Sequence, residues 1–216
     1  MKKAILILVA LITLQQIKAQ SFQQGSLVMS LDWGADIYSV SQKYSLYNVS
    51  NSTTTKTSAA ASTNWNLSGE FGVFKWLGLG IQLKLDNYVT STDSTTGQRA
   101  TAIGFEGGII GNIHIIRHPH FNLLAGVNVG YSHLTYNYND GFNDQVYGDG
   151  SWVDFHAAMR FYFGRFGLNF TFYTPVITYA SLTTNNPNFG LGESILASWK
   201  GRGAGIDLGI QYRLFN

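Results

Sequence analysis

From residue 27 to residue 215 the chain repeats one pattern, in which large apolar residues alternate with small or polar ones over short stretches. A strict period of two places successive side chains on opposite faces of an extended strand. The last stretch, 202–215, shows it most cleanly: Ala204, Ile206, Leu208, Ile210, Tyr212 and Leu214 share one register, and Gly205, Asp207, Gly209, Gln211 and Arg213 the other. Earlier stretches at 27–38, 64–73, 77–86, 103–114, 121–132, 153–163 and 166–173 alternate in the same way, with Ile110 as an apolar exception in a polar register. The connections between them are long and short in turn. Segments 39–62, 90–98, 137–150 and 175–201 read as long polar loops, whereas 75–76, 117–120 and 164–165 read as tight turns, the second containing Pro119, which cannot donate to a sheet ladder.

Eight strands joined by alternately long and short connections predict an all-β fold, an eight-stranded antiparallel up-and-down barrel. Alternation alone does not say which face is inside. Charge does. The bulky apolar register holds no Asp, Glu, Lys or Arg between strand ends, while the other register holds Asp32, Asp36, Glu70, Lys84, Asp86, Glu106, Asp154, Arg160, Asp207 and Arg213, with His114 and His156 as further polar fillers. A cation on a lipid-facing strand position costs roughly 2–4 kcal/mol at the bilayer midplane. Its absence from the apolar register predicts a transmembrane barrel with lipid outside and charge within. Aromatic residues near strand ends, Tyr38, Trp65, Tyr88, Tyr131, Trp152 and Tyr173 toward the loops and Phe74, Trp76, Phe121, Phe163, Phe166 and Tyr212 toward the turns, are expected to form two interfacial girdles.

The N-terminus supports export. Lys2 and Lys3 precede an apolar run at 4–14 that is interrupted only by Thr13 and is too short for a spanning helix, and Ala19 supplies a small residue at the expected cut. Residues 1–19 are therefore expected to be a cleavable signal peptide and 20–216 the barrel. Without residues 1–19, eleven basic side chains face twelve acidic ones, so the basicity of the whole chain resides in the export signal and gives no reason to propose nucleic acid as a partner. There is no cysteine, which removes disulfides, thiolate metal sites and thiol catalysis. Charged residues make up 12% of the chain, about half the share in soluble domains.

The C-terminal spacing Asp207-x-Gly209-x-x-Tyr212-x-Leu214, followed by Phe215, resembles the signal by which barrel-assembly machinery recognises outer-membrane proteins. With the loop asymmetry and the charge-free register, the chain resembles small eight-stranded barrels of the OmpX/OmpA transmembrane type, the "outer membrane protein beta-barrel domain" family. The resemblance implies a Gram-negative outer membrane with its lipid and lipopolysaccharide as surroundings, both termini and the short turns in the periplasm, and the long loops outside.

Candidate chemistry is sparse. Ser132 and His133 suggest a lipid-modifying hydrolase, but as adjacent strand residues they face opposite ways, and no outward acid is expected beside them. His118 and His120 flank Pro119 without further metal ligands. Eight strands leave an interior that side chains fill, so the inward charges are expected to form a paired plug around Lys84 and Arg160, with three bases against seven acids. No catalytic residue, metal or cofactor is assigned. The expected role is non-enzymatic, either structural or in contact with an envelope or extracellular protein through the long loops, where Tyr44, Tyr47, Phe189 and Trp199 are available. A narrow ion channel is the second reading and a lipid A-modifying enzyme the third.

Overall fold

The computed structural model describes residues 22–46, 53–90, 100–137, 144–185 and 194–215. Segment 1–19, expected to be a signal peptide, and the candidate contact residues Tyr47 and Phe189 lie outside these residues. Among the described residues the strands are β1 (Leu27–Leu46), β2 (Thr53–Gly72), β3 (Leu77–Tyr88), β4 (Thr101–His118), β5 (Phe121–Asn137), β6 (Gln145–Phe163), β7 (Phe166–Tyr179), β8 (Thr183–Thr184) and β9 (Ser194–Phe215). Each long strand pairs antiparallel with its neighbour, and β1 pairs with β9, so that eight strands close a ring while the two-residue β8 adds to β6 above it.

The side-chain period sorts as the sequence requires. Met29, Leu31, Trp33, Leu67, Leu83, Phe105, Phe155, Leu168 and Leu208 are exposed on the outside. The ten charged residues of the opposite register are all buried, none more than 6% exposed. Ile110 also points inward. The connection between β6 and β7 is two residues long, with Gly164 at φ 72°, a left-handed conformation that a two-residue hairpin needs and glycine adopts without a steric penalty.

Of the four expected long loops, three have described parts that are largely strand, and 91–98 of the second lie outside the described residues. The described parts of segment 39–62 are the tops of β1 and β2, which remain paired out to Ser45 and Thr53. In the same way Gly148, Asp149 and Gly150 belong to β6, and 194–201 belongs to β9. Their outward positions are polar, as at Ser39, Ser41, Lys43 and Lys200, so no outward apolar register marks them as strand. Pro175, read as the start of a loop, lies within β7. It is registered against Asp154 on β6, while the β7–β9 ladder omits Thr174 and Pro175 and resumes at Val176 with its register unchanged. The interruption is where a residue without N–H can be accommodated.

Glycines in the inward register have a specific use at the β1–β9 seam. Asp32 lies opposite Gly209, Gly34 opposite Asp207, and Asp36 opposite Gly205. A Cβ added at Gly34, Gly205 or Gly209 would collide with the carboxylate across from it. The seam is therefore knitted by carboxylates lying flat over glycine backbone.

Candidate functional site

The lumen has two storeys. In the turn-side half, Arg160 Nη1 donates to Glu70 Oε2 at 2.6 Å, and His114 Nε2 lies 2.7 Å from Glu70 Oε1. Phe22, in the lead before β1, stacks on the His114 ring at 3.5 Å and closes this end. Higher up, the Lys84 ammonium donates to Asp36 at 3.0 Å and lies 3.5 Å from Asp86, with the Tyr173 ring 4.9 Å away. Asp36 also accepts from Tyr38, Ser62 and Asn64.

The remaining acids are held by neutral donors. Ser30 and Asn169 donate to Asp32, Asn128 donates to both oxygens of Asp154, and Tyr173 donates to Asp207 at 3.0 Å. His156 lies between Asp154 and Asn112. Glu106 stands opposite Lys84 in the β3–β4 ladder, yet its Oε1 accepts no hydrogen bond among the described residues. Arg213 is turned toward the β6–β7 turn, where Nη2 donates to Gly164 O at 2.9 Å and the guanidinium covers Tyr162. A cavity of ≈ 40 Å³ is lined by members of this network. That is room for a few waters at most.

The upper storey is apolar. Tyr38, Val40, Leu134, Val146, Trp152, Ile177, Tyr179, Leu182, Leu196 and Trp199 form one buried cluster, with Tyr44, Ala60, Tyr88 and Tyr136 packed against it. The ring of Trp199 is 6.0 Å from Tyr38, 5.7 Å from Tyr88 and 5.7 Å from Tyr179. Leu182 reaches the cluster because the chain after β7 folds back over the mouth, its N–H donating to Ala197 O. This corrects two expectations. The loop-side aromatics Tyr38, Tyr88, Trp152 and Tyr173 face inward, leaving only Trp65 and Tyr131 of that set on the outside. Trp199, expected to be available for contact, is buried. The signal was present in the parity, since Tyr38 and Trp152 share the register of Asp36 and Asp154; above the charges, aromatic bulk fills the lumen.

On the outside, above the apolar belt, His133 Nδ1 lies 2.7 Å from Asp149 Oδ1. The expectation of no outward acid beside His133 is thus corrected: Asp149 pairs with it across the β5–β6 ladder. Hydrogen bonds from His133 and Tyr131 hold the Asp149 carboxyl below its ordinary range. Ser132, by contrast, is buried, its hydroxyl against that of Tyr179. No group of three His, Cys, Asp or Glu able to hold a metal occurs among the described residues. At the turn side, Phe74, Trp76, Phe163 and Phe166 are exposed as a girdle requires. Tyr212 and Leu214 of the C-terminal spacing are half-buried in β9, whose register shifts against β1 at Leu27 and Val28.

One feature projects from the ring. β3 pairs with β2 only as far as Ser62, and Val89 adds one bond to Ala61 O. Above that level β2 from Thr53 to Ala60 has β1 on one side and no strand on the other among the described residues.

A closed ring of eight antiparallel strands, apolar outside and charged within, defines a small outer-membrane β-barrel, as the resemblance to the OmpX/OmpA type implies. No protein-family model matches the chain, and no curated protein is similar to it in sequence. Among solved structures it is similar to the outer membrane protein OprG from Pseudomonas aeruginosa, at 10% identity over 91% of this chain and 99% of that one, with a TM-score of 0.59. It is also similar to the outer membrane protein AlkL, solved in lipid bilayers, at 14% identity over 93% and 95% of the two chains, with a TM-score of 0.56. At these identities the likeness is one of fold.

Proposed function

We propose that the chain is a non-enzymatic barrel of the outer membrane that serves as a scaffold for a projecting sheet, through which it binds a protein partner at the cell surface. In this reading residues 1–19 are removed on export, Asp207, Gly209, Tyr212, Leu214 and Phe215 are read by the barrel-assembly machinery, and both termini are periplasmic. The observation that carries it is the β2 edge from Thr53 to Ala60, which no strand covers among the described residues. An open edge of about eight residues, roughly 27 Å long at strand rise, presents backbone donors and acceptors to any extended segment. The filled lumen weighs against conduction. The buried Ser132 weighs against a serine hydrolase at His133.

Site-specific photo-crosslinking tests the reading. A photoreactive residue at Thr57 should capture a discrete envelope or extracellular protein in living cells, one at Thr63 within the barrel wall should not, and Thr57 capture should be lost when Ala59→Pro, at a position whose N–H points away from β1, removes a donor from the edge. No adduct at Thr57, or the same adduct at Thr63, would refute the proposal. Planar-bilayer recording should show no conductance; steady single-channel currents would favour the channel reading instead.

A further inference from the structure

We propose that the outer face of β9, β1 and β2 carries a binding site for a phosphorylated glycolipid of the lipid A type, with acyl chains in a groove and phosphates on three cations above it. Most of the outer belt is built of large side chains. Here it is not. Ala35, Ala61 and Ala204 surround Ile37, and two adjoining hollows of ≈ 750 Å³ and ≈ 940 Å³ share Ile37 and Ala204 as common wall. Phe155, Phe172 and Ile206 line the lower hollow, so the trough is apolar where it crosses the belt.

The cations follow directly above. In the β1–β9 ladder Ser39 faces Arg202, Ser41 faces Lys200, and Lys43 faces Ser198. Their parity with Ile37 and Ala204 puts Lys43, Lys200 and Arg202 on the outer face, and all three are exposed. Successive outward positions are about 7 Å apart along a strand, and diagonal neighbours across a pair are about 7–8 Å apart. None of the three forms an ion pair among the described residues, whereas Lys84 and Arg160 in the lumen do. The same outer register holds Thr55, Thr57 and Ala59 on β2 and Thr174, Val176 and Thr178 on β7, with no carboxylate.

A cationic column with no ion-pair partner among the described residues, above an apolar trough, fits an amphiphile with a strongly anionic head. The trough is wider than one strand, which suits several chains better than two. The column offers more than one phosphate position, which suits a phosphorylated disaccharide better than a single phosphodiester. The site rests on the membrane placement proposed above but not on the β2 edge, so failed capture at Thr57 leaves it standing, and failed lipid binding leaves the edge standing.

Native mass spectrometry of the full chain in detergent, titrated separately with hexa-acyl bisphosphorylated lipid A and with phosphatidylglycerol, tests it. Lipid A should be retained in preference to phosphatidylglycerol. At about a factor of five per cation near an anionic head, the triple variant Lys43→Ser, Lys200→Ser, Arg202→Ser should bind lipid A about a hundredfold more weakly. Ala204→Trp, which fills the trough without touching a charge, should also weaken it, and the turn-side control Lys75→Ser with Arg117→Ser should not. Heat-modifiable gel mobility verifies that each variant is folded. Unchanged lipid A binding by the folded triple variant, equal retention of both lipids by the wild type, or an equal loss in the control would overturn the assignment.

Discussion

Arg160 on β6 and Glu70 on β2 meet at 2.6 Å across the full width of the barrel, since their strands stand four apart in a ring of eight. Both groups are buried. An ion pair on a diameter both staples the two walls and blocks the path between them.

Arg160→Met should therefore cost about 3–5 kcal/mol, because it leaves the Glu70 carboxylate buried with only His114 for company. Glu70→Gln combined with Arg160→Met should cost much less than Arg160→Met alone. Urea unfolding in detergent micelles measures both, and a double variant as unstable as the single one would show that the pair is not the cause.

The seam predicts a second effect. Gly209→Ala adds a methyl where the Asp32 carboxylate lies, and displaces it from Ser30 and Asn169. A loss of about 1–3 kcal/mol is expected, in the range of overpacking substitutions. Gly69→Ala, where nothing stands within 4 Å of the added Cβ, is the control and should be close to neutral.

The boundary of the apolar belt can be read from one strand pair. Leu208→Arg sets a cation on the lipid-facing side of β9 and should cost roughly 2–4 kcal/mol. Ser41→Arg, also outward but level with Lys200, should stay within about 0.5 kcal/mol of the wild type. Equal losses in folded yield would place the upper edge of the belt elsewhere.

Asp149 should titrate below the ordinary carboxylate range, because His133 and Tyr131 donate to its charged form. The sign is that of a depressed acid: the bonds stabilise the fold above the unfolded-state pKa and are lost as pH falls through the folded one. The group is solvent-exposed, so the signature to measure is the titration itself. Carbon-detected NMR of the Asp149 carboxyl should show its midpoint rise in His133→Ala; an unmoved midpoint would mean that the imidazole does not hold it.

Strand number, parity and the segregation of charge are legible in the sequence because a membrane imposes them residue by residue. Leu208 must face lipid, so Asp207 must not. Above the belt that constraint ends, and so does legibility: Thr53 to Ala60 and Gly148 to Gly150 are strand without an apolar register. Tyr38 and Trp152 were misread because an aromatic near a strand end fits an interfacial girdle and a filled lumen equally well by composition, and only its parity decides. The diametric pairing of Glu70 with Arg160 depends on ring geometry, since both lie in the turn-side half but 90 residues apart. His133 with Asp149 was missed because a register between two strands cannot be set when their connection is read as a loop that already includes one of the partners.

The diametric ion pair also bears on how the barrel comes to be. Hairpins β2–β3 and β6–β7 are each local in sequence, but neither can satisfy its own charged residue; Glu70 and Arg160 find each other only when the sheet has curled, and Asp36 finds its glycine only when β9 arrives. A partly assembled sheet would carry its charges without partners in a medium that penalises them. The polar interior thus acts late, rewarding closure rather than initiation. Such a barrel is expected to insert and close in one cooperative event, and to unfold slowly, because the first step of opening must expose what the last step of assembly concealed.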